Sequence, residues 1–564
     1  MKYYYLIIFF FIAGCFSENL NDKTAFGGKK YGNNFTYFAP ERTMVFFPLA
    51  SVTLNDQRIL SQIFEPLFST NDQGVSENNL AKKYEELSEG KIIQITIKSN
   101  IFFHSDDCFS SGENRLTSQD VEFSLDFACS GSPFNSLGQI LRDKIVGGQE
   151  FYNSSKHAFN KNGVAGIKVV NDTVIQIHLK KKYAGFQKIL AHPSITIFSR
   201  KAYDFYKQNF VHHPIGTGPF QFLSTDENKT VLMRNPIYWK KDEYGNQLPF
   251  LKGITIRYTN NLNEEYLSFS KKKSDIIFEL PTDKLDNAFG SLSDAQKGKN
   301  LLHRVVLKKG VKVNYLSFDC STYPFNDIRV RKAFNLAIDR KSICLDVLNG
   351  EGNYMLKGFI PRSSFYNPTY KSEMILYNPK QAQKLMLEAG FNKEHPFPEL
   401  TFYINAQRNS RADKWANSVV KQLKSTLGVN LQIKHTSLSE KFKLIKQKKA
   451  KIWKSTWLPD YPDADAYLSQ FYGNVKQIAN KESLYNSFNS PIFDSLYRKS
   501  QLVHNLEQRN EIQRKCDKFL IDQAAIAPIF SEDLFLIVNL RVRDFSINSS
   551  GIIDFSKIYI KEVY

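Results

Sequence analysis

The carboxylates Asp460, Asp463 and Asp465 crowd a stretch that Pro459 and Pro462 mark as a turn. Side chains so placed cap turn amides, stay solvated, or face a cation. A calcium loop is disfavoured, because the glycine and distal glutamate that shape an EF-hand are missing. His212-His213 could ligate nickel or haem iron, but adjacent side chains usually point apart. Gly216 and Gly218 read as a tight turn before a strand. Neither G-x-G-x-x-G nor G-x-x-x-x-G-K-[ST] occurs, so a phosphate nest is not indicated. No H-E-x-x-H, G-x-S-x-G or S-x-x-K forms a coherent constellation. A secreted hydrolase is disfavoured on that ground, and no catalytic residue, metal ligand or cofactor is expected.

The first residues bear on the compartment. Lys2 gives a minimal positive start, and Leu6–Ala13 is an unbroken apolar run. It is too short to span a bilayer, which takes ~20 residues, and suits a cleaved secretory signal. Ile12-Ala13-Gly14-Cys15 resembles a lipobox, with Cys15 as the lipid-modified first residue of the mature chain. Residues 16–35 are polar and glycine-containing, and read as a tether. The five later cysteines are Cys108, Cys129, Cys320, Cys344 and Cys516. An odd count leaves at least one thiol free, and Cys108–Cys129 and Cys320–Cys344 are the shortest loops that could close. No C-x-x-C occurs.

At 564 residues the chain should form two or three domains, and 42% hydrophobic residues suffice for real cores. The formal charge of +19 is spread along the chain, with no basic block interleaved with aromatics. Nucleic acid is therefore not expected as a partner; the surplus reads as solvated surface, with weak attraction to anionic lipid as the alternative.

The pattern places a helix around Ile59, Ile63 and Leu67, and a strand within Lys91–Phe103. Thr117 and Asp120 form a capping-box signature. A hairpin is expected over 167–179 about Asn171-Asp172, and strands over Gly253–Tyr258 and Lys312–Phe318. Asp327 should cap a helix bearing Val330, Phe334 and Ala337, and Asn378-Pro379-Lys380-Gln381 should start another that stops at Gly390. A further helix over Ala412–Leu427 precedes a strand over Val429–Ile433. Strand and helix alternate without a repeat, so the class is α/β in several pieces.

Several stretches, in order, resemble the bacterial extracellular solute-binding proteins of family 5, the oligopeptide/dipeptide/nickel type. Ile63-Phe64-Glu65-Pro66-Leu67 is similar to that family's "i-y-E-g-L", with Pro66 in place of the usual glycine. Leu116–Val121, Pro214–Phe220 and Arg234–Trp239 resemble "l-T-A-e-D-V", "P-v-G-T-G-P-Y/F" and "r-N-p-x-Y-W". Pro324–Ala333 with Ala337–Arg340 resembles "P-f-x-D-v-R-V-R-q-A-…-A-i-D-r". Tyr377–Phe391 and Asn486–Leu496 complete the series. Arg329 and Arg331 read as salt-bridging or interlobe residues rather than ligand contacts.

The resemblance implies a periplasmic-binding-protein-like two-lobe fold of type II, of the large cluster with an extra domain, with mixed sheets flanked by helices and two crossover hinge strands. It implies a signal peptide at 1–14, anchor and tether at 15–35, lobe I at 36–68, 191–311 and 531–564, the extra domain at 69–190, and lobe II at 312–530. The implied function is that of a lipid-anchored receptor of an ABC importer. It would bind peptides between closing lobes on the periplasmic or cell-surface side and deliver them to a permease with its ATPase subunits, as a monomer held to the membrane through Cys15.

Trp453–Asp463 looks like the family's "W-x-x-D-y-x-D/E-P" loop. By that resemblance Asp460 would face a peptide α-ammonium, and Ser455, Thr456 and Trp457 would offer pairing backbone and an aromatic wall. Tyr461 and Asp463 complete the expected contacts. Lys240–Phe250 resembles an insertion "d-x-x-G-N-q-L-P-y" of a subgroup that includes sugar binders. An oligosaccharide or a metal or haem complex is therefore the alternative cargo, with only four tryptophans favouring peptide. An adhesin or pheromone receptor on the same fold stays open.

Overall fold

Asn34–Ala39 (β1) opens the fold and buries Phe35, Tyr37 and Phe38. The computed structural model describes residues 23–561 apart from 52, 72–74, 161, 184, 279–302, 351, 364, 460, 474–486, 504 and 549–550. Helix Leu54–Ile63 (α1) follows, its first turn closed by the Thr53 side chain accepting from the Asp56 amide. Its inward face buries Ile59, Leu60 and Ile63.

Next comes an inserted four-stranded antiparallel sheet of Ala81–Leu87 (β2), Ile92–Ile97 (β3), Ile167–Asn171 (β4) and Val174–His178 (β5), in the order β2-β3-β5-β4. In β3 every second residue is buried, as a sheet covered on one side requires. The cover includes Ser118–Cys129 (α2), started by the expected box between Thr117 and Asp120. The chain then completes the first sheet with Phe220–Thr225 (β6), Lys229–Arg234 (β7) and Gly253–Tyr258 (β8), in the order β1-β8-β7-β6 with β1 and β8 parallel. One continuous apolar core joins this sheet to the inserted one.

Gly216 and Gly218 have a different task from the expected turn. Neither has positive φ; a Cβ would lie 2.0 Å from Ile63 O at Gly216 and 2.4 Å from Gln62 O at Gly218. The glycines let this segment lie directly on the end of α1.

After the two-residue strand Ile276–Ile277 (β9), the long strand His303–Phe318 (β10) leads into the second lobe. There Ile328–Leu336 (α3), Pro379–Glu388 (α4), Leu400–Ile404 (β11), Arg411–Leu427 (α5), Leu431–His435 (β12), Leu438–Lys446 (α6) and Ile452–Trp457 (β13) follow in turn. Pro491–Leu502 (α7) and Leu506–Asp522 (α8) precede the return strand Ile526–Asn539 (β14). The resulting seven-stranded mixed sheet runs β9-β14-β10-β13-β11-β12, with Asn353–Tyr354 also on β14. Trp415, Phe334 and Phe402 pack one face, and Phe359, Tyr467 and Phe493 the other. Each such side chain contributes about 1.5–3 kcal/mol by burial.

β10 and β14 are the two crossover strands. They pair antiparallel from His303↔Asn539 to Lys308↔Leu534, break, and resume from Lys312↔Glu532 to Ser317↔Ile526. At the break the Gly310 amide donates to Asp533 Oδ1 at 2.6 Å, and a Cβ on Gly310 would sit 1.9 Å from Glu532 O. A bulge here bends both strands where one lobe meets the other.

All five described cysteines are free thiols, so neither short loop closes as a disulfide. Among the described residues no helix is long and apolar enough to cross a membrane.

Candidate functional site

β13 is held on one edge by β10, from Phe318↔Ile452 to Val313↔Trp457. On its other edge the ladder to β11 covers only Ile452 and Trp453. Among the described residues Lys454–Trp457 therefore keeps one edge without a partner strand, close to the crossover. Such an edge is a template for an extended chain.

Side chains along this segment alternate as a strand requires. Ser455 Oγ lies 2.8 Å from Ser317 Oγ, and Trp457 packs half-buried on the core that holds Phe359 and Tyr467. On the opposite face exposed Thr456 donates to Asn314 Oδ1 at 2.9 Å and receives Lys454 Nζ at 3.2 Å. The structure thus brings Ser455, Thr456 and Trp457 together on one strand.

A charged cluster that the sequence patterns did not single out adjoins them. Glu532 accepts from Lys312 Nζ at 2.8 Å and from the Asn314 amide. Burial opposes its ionisation, yet Lys312 and Arg411 hold its carboxyl down at about 2. Lys454 is pushed down to about 8 by burial and by the Lys312 charge, and Lys441 to about 7 by burial and by Lys454. The Lys441 ammonium donates to Asn405 Oδ1 at 2.6 Å and to Lys454 O at 3.0 Å. Several cations around one carboxylate leave surplus positive charge beside the open strand edge. Alternation alone does not reveal it, because its members come from β10, β13, β14, α5 and α6.

The turn after β13 departs from expectation. Asp463 is buried rather than solvated. Arg509 of α8 grips it with both guanidinium nitrogens at 2.8 and 2.9 Å, and Lys188 reaches it at 3.0 Å. Burial opposes ionisation of Asp463, but Arg509 and Lys188 hold it well below the usual carboxylate range. Tyr461 is buried and turns its hydroxyl onto Asp465. Asp465 also accepts from Tyr497, Tyr183 at 3.0 Å and Gln501 at 2.7 Å. The Tyr461 hydroxyl and the Asp463 carboxylate are thus both engaged by side chains of the protein itself. Asp460 and Cys15 lie outside the described residues.

Other singled-out residues have structural partners. Arg329 pairs with Asp327, whereas buried Arg331 donates to the carbonyls of Phe325, Gln523 and Ala524. His213 stacks on Tyr206 with centroids 3.8 Å apart. The insertion Lys240–Phe250 binds its own chain: Asn246 brackets the Phe26 backbone, and Lys29 meets Asp242, Glu243 and Asp544. Trp415 and Trp453 are core residues, and Trp239 donates to buried Glu65 at 2.8 Å. Among the described residues no group of three or more His, Cys, Asp or Glu could hold a metal ion.

Comparison with known proteins agrees with this architecture. A profile of the bacterial extracellular solute-binding proteins, family 5 middle, matches residues 76–478. The oligopeptide-binding protein OppA of Bacillus subtilis is 23% identical over 518 residues, covering 89% of this chain and 88% of that protein. The glutathione-binding protein GsiB of Salmonella typhimurium is 26% identical over 403 residues, covering 71% of this chain and 68% of that one. The periplasmic binding protein DppA from Helicobacter pylori, solved with the peptide STSA, superposes with a TM-score of 0.78 at 18% identity, covering 94% of this chain and 99% of that one. Two sheets, an inserted sheet and a paired crossover, together with that profile match, lead to one assignment: the chain belongs to the bacterial extracellular solute-binding proteins of family 5.

Proposed function

We propose that this protein is the peptide receptor of an ABC importer, tethered outside the cell membrane by lipid on Cys15 and handing its cargo to a permease without changing it chemically. The observation that carries the reading is the edge of Lys454–Trp457 that has no partner strand among the described residues, beside the crossover strands. A peptide laid along that edge takes its affinity from main-chain hydrogen bonds and so tolerates varied side chains. Asp460, three residues beyond Trp457 in the sequence, supplies the carboxylate for the peptide α-ammonium, and the Lys454 cluster supplies positive charge for an anionic group. The named relatives bind an oligopeptide, glutathione and a tetrapeptide, which supports peptide as the cargo class. Trp415 and Trp453 are spent on the core, which weighs against a stacked sugar site.

The test is titration of the purified protein with a mixed peptide pool, with bound species identified by mass spectrometry after denaturation. Peptides should be recovered, and Asp460→Ala should weaken their binding by about tenfold or more, as loss of a buried charge partner does. Unchanged affinity in that variant removes Asp460 from the site. Recovery of sugar or a metal complex overturns the cargo class. The anchor is tested separately by the mass added at Cys15, which Cys15→Ala should abolish.

A further inference from the structure

The turn after β13 belongs to the second lobe, yet the body formed by the first and inserted sheets also bonds to it. Tyr183 and Lys188 follow β5, and Tyr183, with Phe186 and Ile189 beside Lys188, packs in the core that joins the first and inserted sheets. Tyr183 donates to Asp465 Oδ2 at 3.0 Å, and the Lys188 ammonium reaches Asp463 Oδ2 at 3.0 Å and Pro462 O at 3.4 Å. The second lobe holds the same two carboxylates from behind. Arg509 and Gln513 of α8 hold Asp463, while Tyr461, Tyr497 and Gln501 hold Asp465. The Asp465 amide donates to Asp463 Oδ1 at 2.9 Å, so the two acids form one unit. Both are nearly out of solvent, at 4% and 2% exposure.

The division of charge across this contact is unequal. On the second lobe two carboxylates face one guanidinium, leaving one negative charge in excess. The opposite side, the body that carries the inserted sheet, presents the Lys188 ammonium, and the Lys144 ammonium lies 4.8 Å from the Tyr183 ring centroid. Each carboxylate also keeps partners from its own lobe, so separating the lobes leaves neither without one. Bringing them together adds one charge-assisted bond from a phenol and one ion pair, in a setting drier than an open surface. These bonds fall on the turn that directly continues the open edge of Ser455–Trp457.

We propose that Tyr183 and Lys188 are positioning residues for cargo. They latch the turn after β13 across the lobe boundary, so that cargo release waits on their detachment although neither touches the cargo. The inference rests on the peptide-receptor reading for the identity of the cargo, and on the geometry above for the latch.

The test uses the full chain with Lys188→Ala, Tyr183→Phe and the conservative Lys188→Arg. Lys188 has a side chain 26% exposed, and Tyr183→Phe removes only a hydroxyl, so the variants should fold; circular dichroism checks this. Stopped-flow peptide binding should show release faster by roughly tenfold in Lys188→Ala and in Tyr183→Phe, with association little changed and Lys188→Arg restoring slow release. Small-angle scattering should show both weakened variants more expanded than the wild type. Release rates and scattering profiles equal to the wild type overturn the latch. If the wild type binds no peptide, the cargo reading fails, and scattering alone then decides the latch: equal profiles overturn it and expanded variants support it.

Discussion

A proton has no room on His104. Its Nε2 lies 3.0 Å from Gly218 O and its Nδ1 3.4 Å from the Gly216 amide, so the neutral tautomer carrying hydrogen on Nε2 satisfies both. Burial holds its pKa down at about 4, against the opposing pull of the Gly218 hydrogen bond and the Glu65 charge. An unfolded chain takes up that proton near pH 6.5. Between pH 6.5 and about 4 the unfolded state therefore binds more protons, and stability falls on acidification by at most about 3 kcal/mol. His104→Gln should flatten the decline in melting temperature between pH 7 and 5; a slope as steep as the wild type's would assign the acid limb to other groups. Asp463 illustrates why single residues are hard to read. A loop acid beside prolines looks solvated, because nothing local announces that Arg509, 46 residues on, folds back onto it.

At the level of elements, local chemistry was a good guide wherever the signal lay within a few residues. Asn378 caps the helix starting at Pro379 by accepting from the Gln381 amide, and Gly390 ends it at positive φ, both as the pattern implies. The hairpin about Asn171-Asp172 and the strand Gly253–Tyr258 also match. The crossover strands were less legible. Lys308-Lys309-Gly310 interrupts the alternation of β10, so only its second half reads as a strand. The first six residues of β14 are all buried, which removes the period-two pattern altogether. The bulge between them makes a sharp prediction. Gly310→Ala places a methyl against Glu532 O and should cost about 1–3 kcal/mol, as overpacking does. Denaturant unfolding measures it, and a wild-type midpoint would show that β14 yields freely.

For the whole molecule, the two-lobe class was legible through the ordered family stretches and not through periodicity, because local pattern is silent on where a chain returns. The core arrangement bears on chemical stability. All five described cysteines are free, and Cys129, Cys344 and Cys516 are buried. Burial raises the thiols of Cys344 and Cys516 to about 11 and 12, so they stay protonated and unreactive. A thiol reductant should leave the melting temperature where it is; a fall would reveal a bridge that the structure lacks.

The crossover has a mechanical side. β13 is zipped to β10, and β10 to β14, so Ser455–Trp457 stands two ladders away from the far side of the pivot. A guest strand on that edge would widen the very sheet whose longest members flex between lobes. Loading would then stiffen the joint itself, and the empty molecule would bend more easily than the full one without any separate spring.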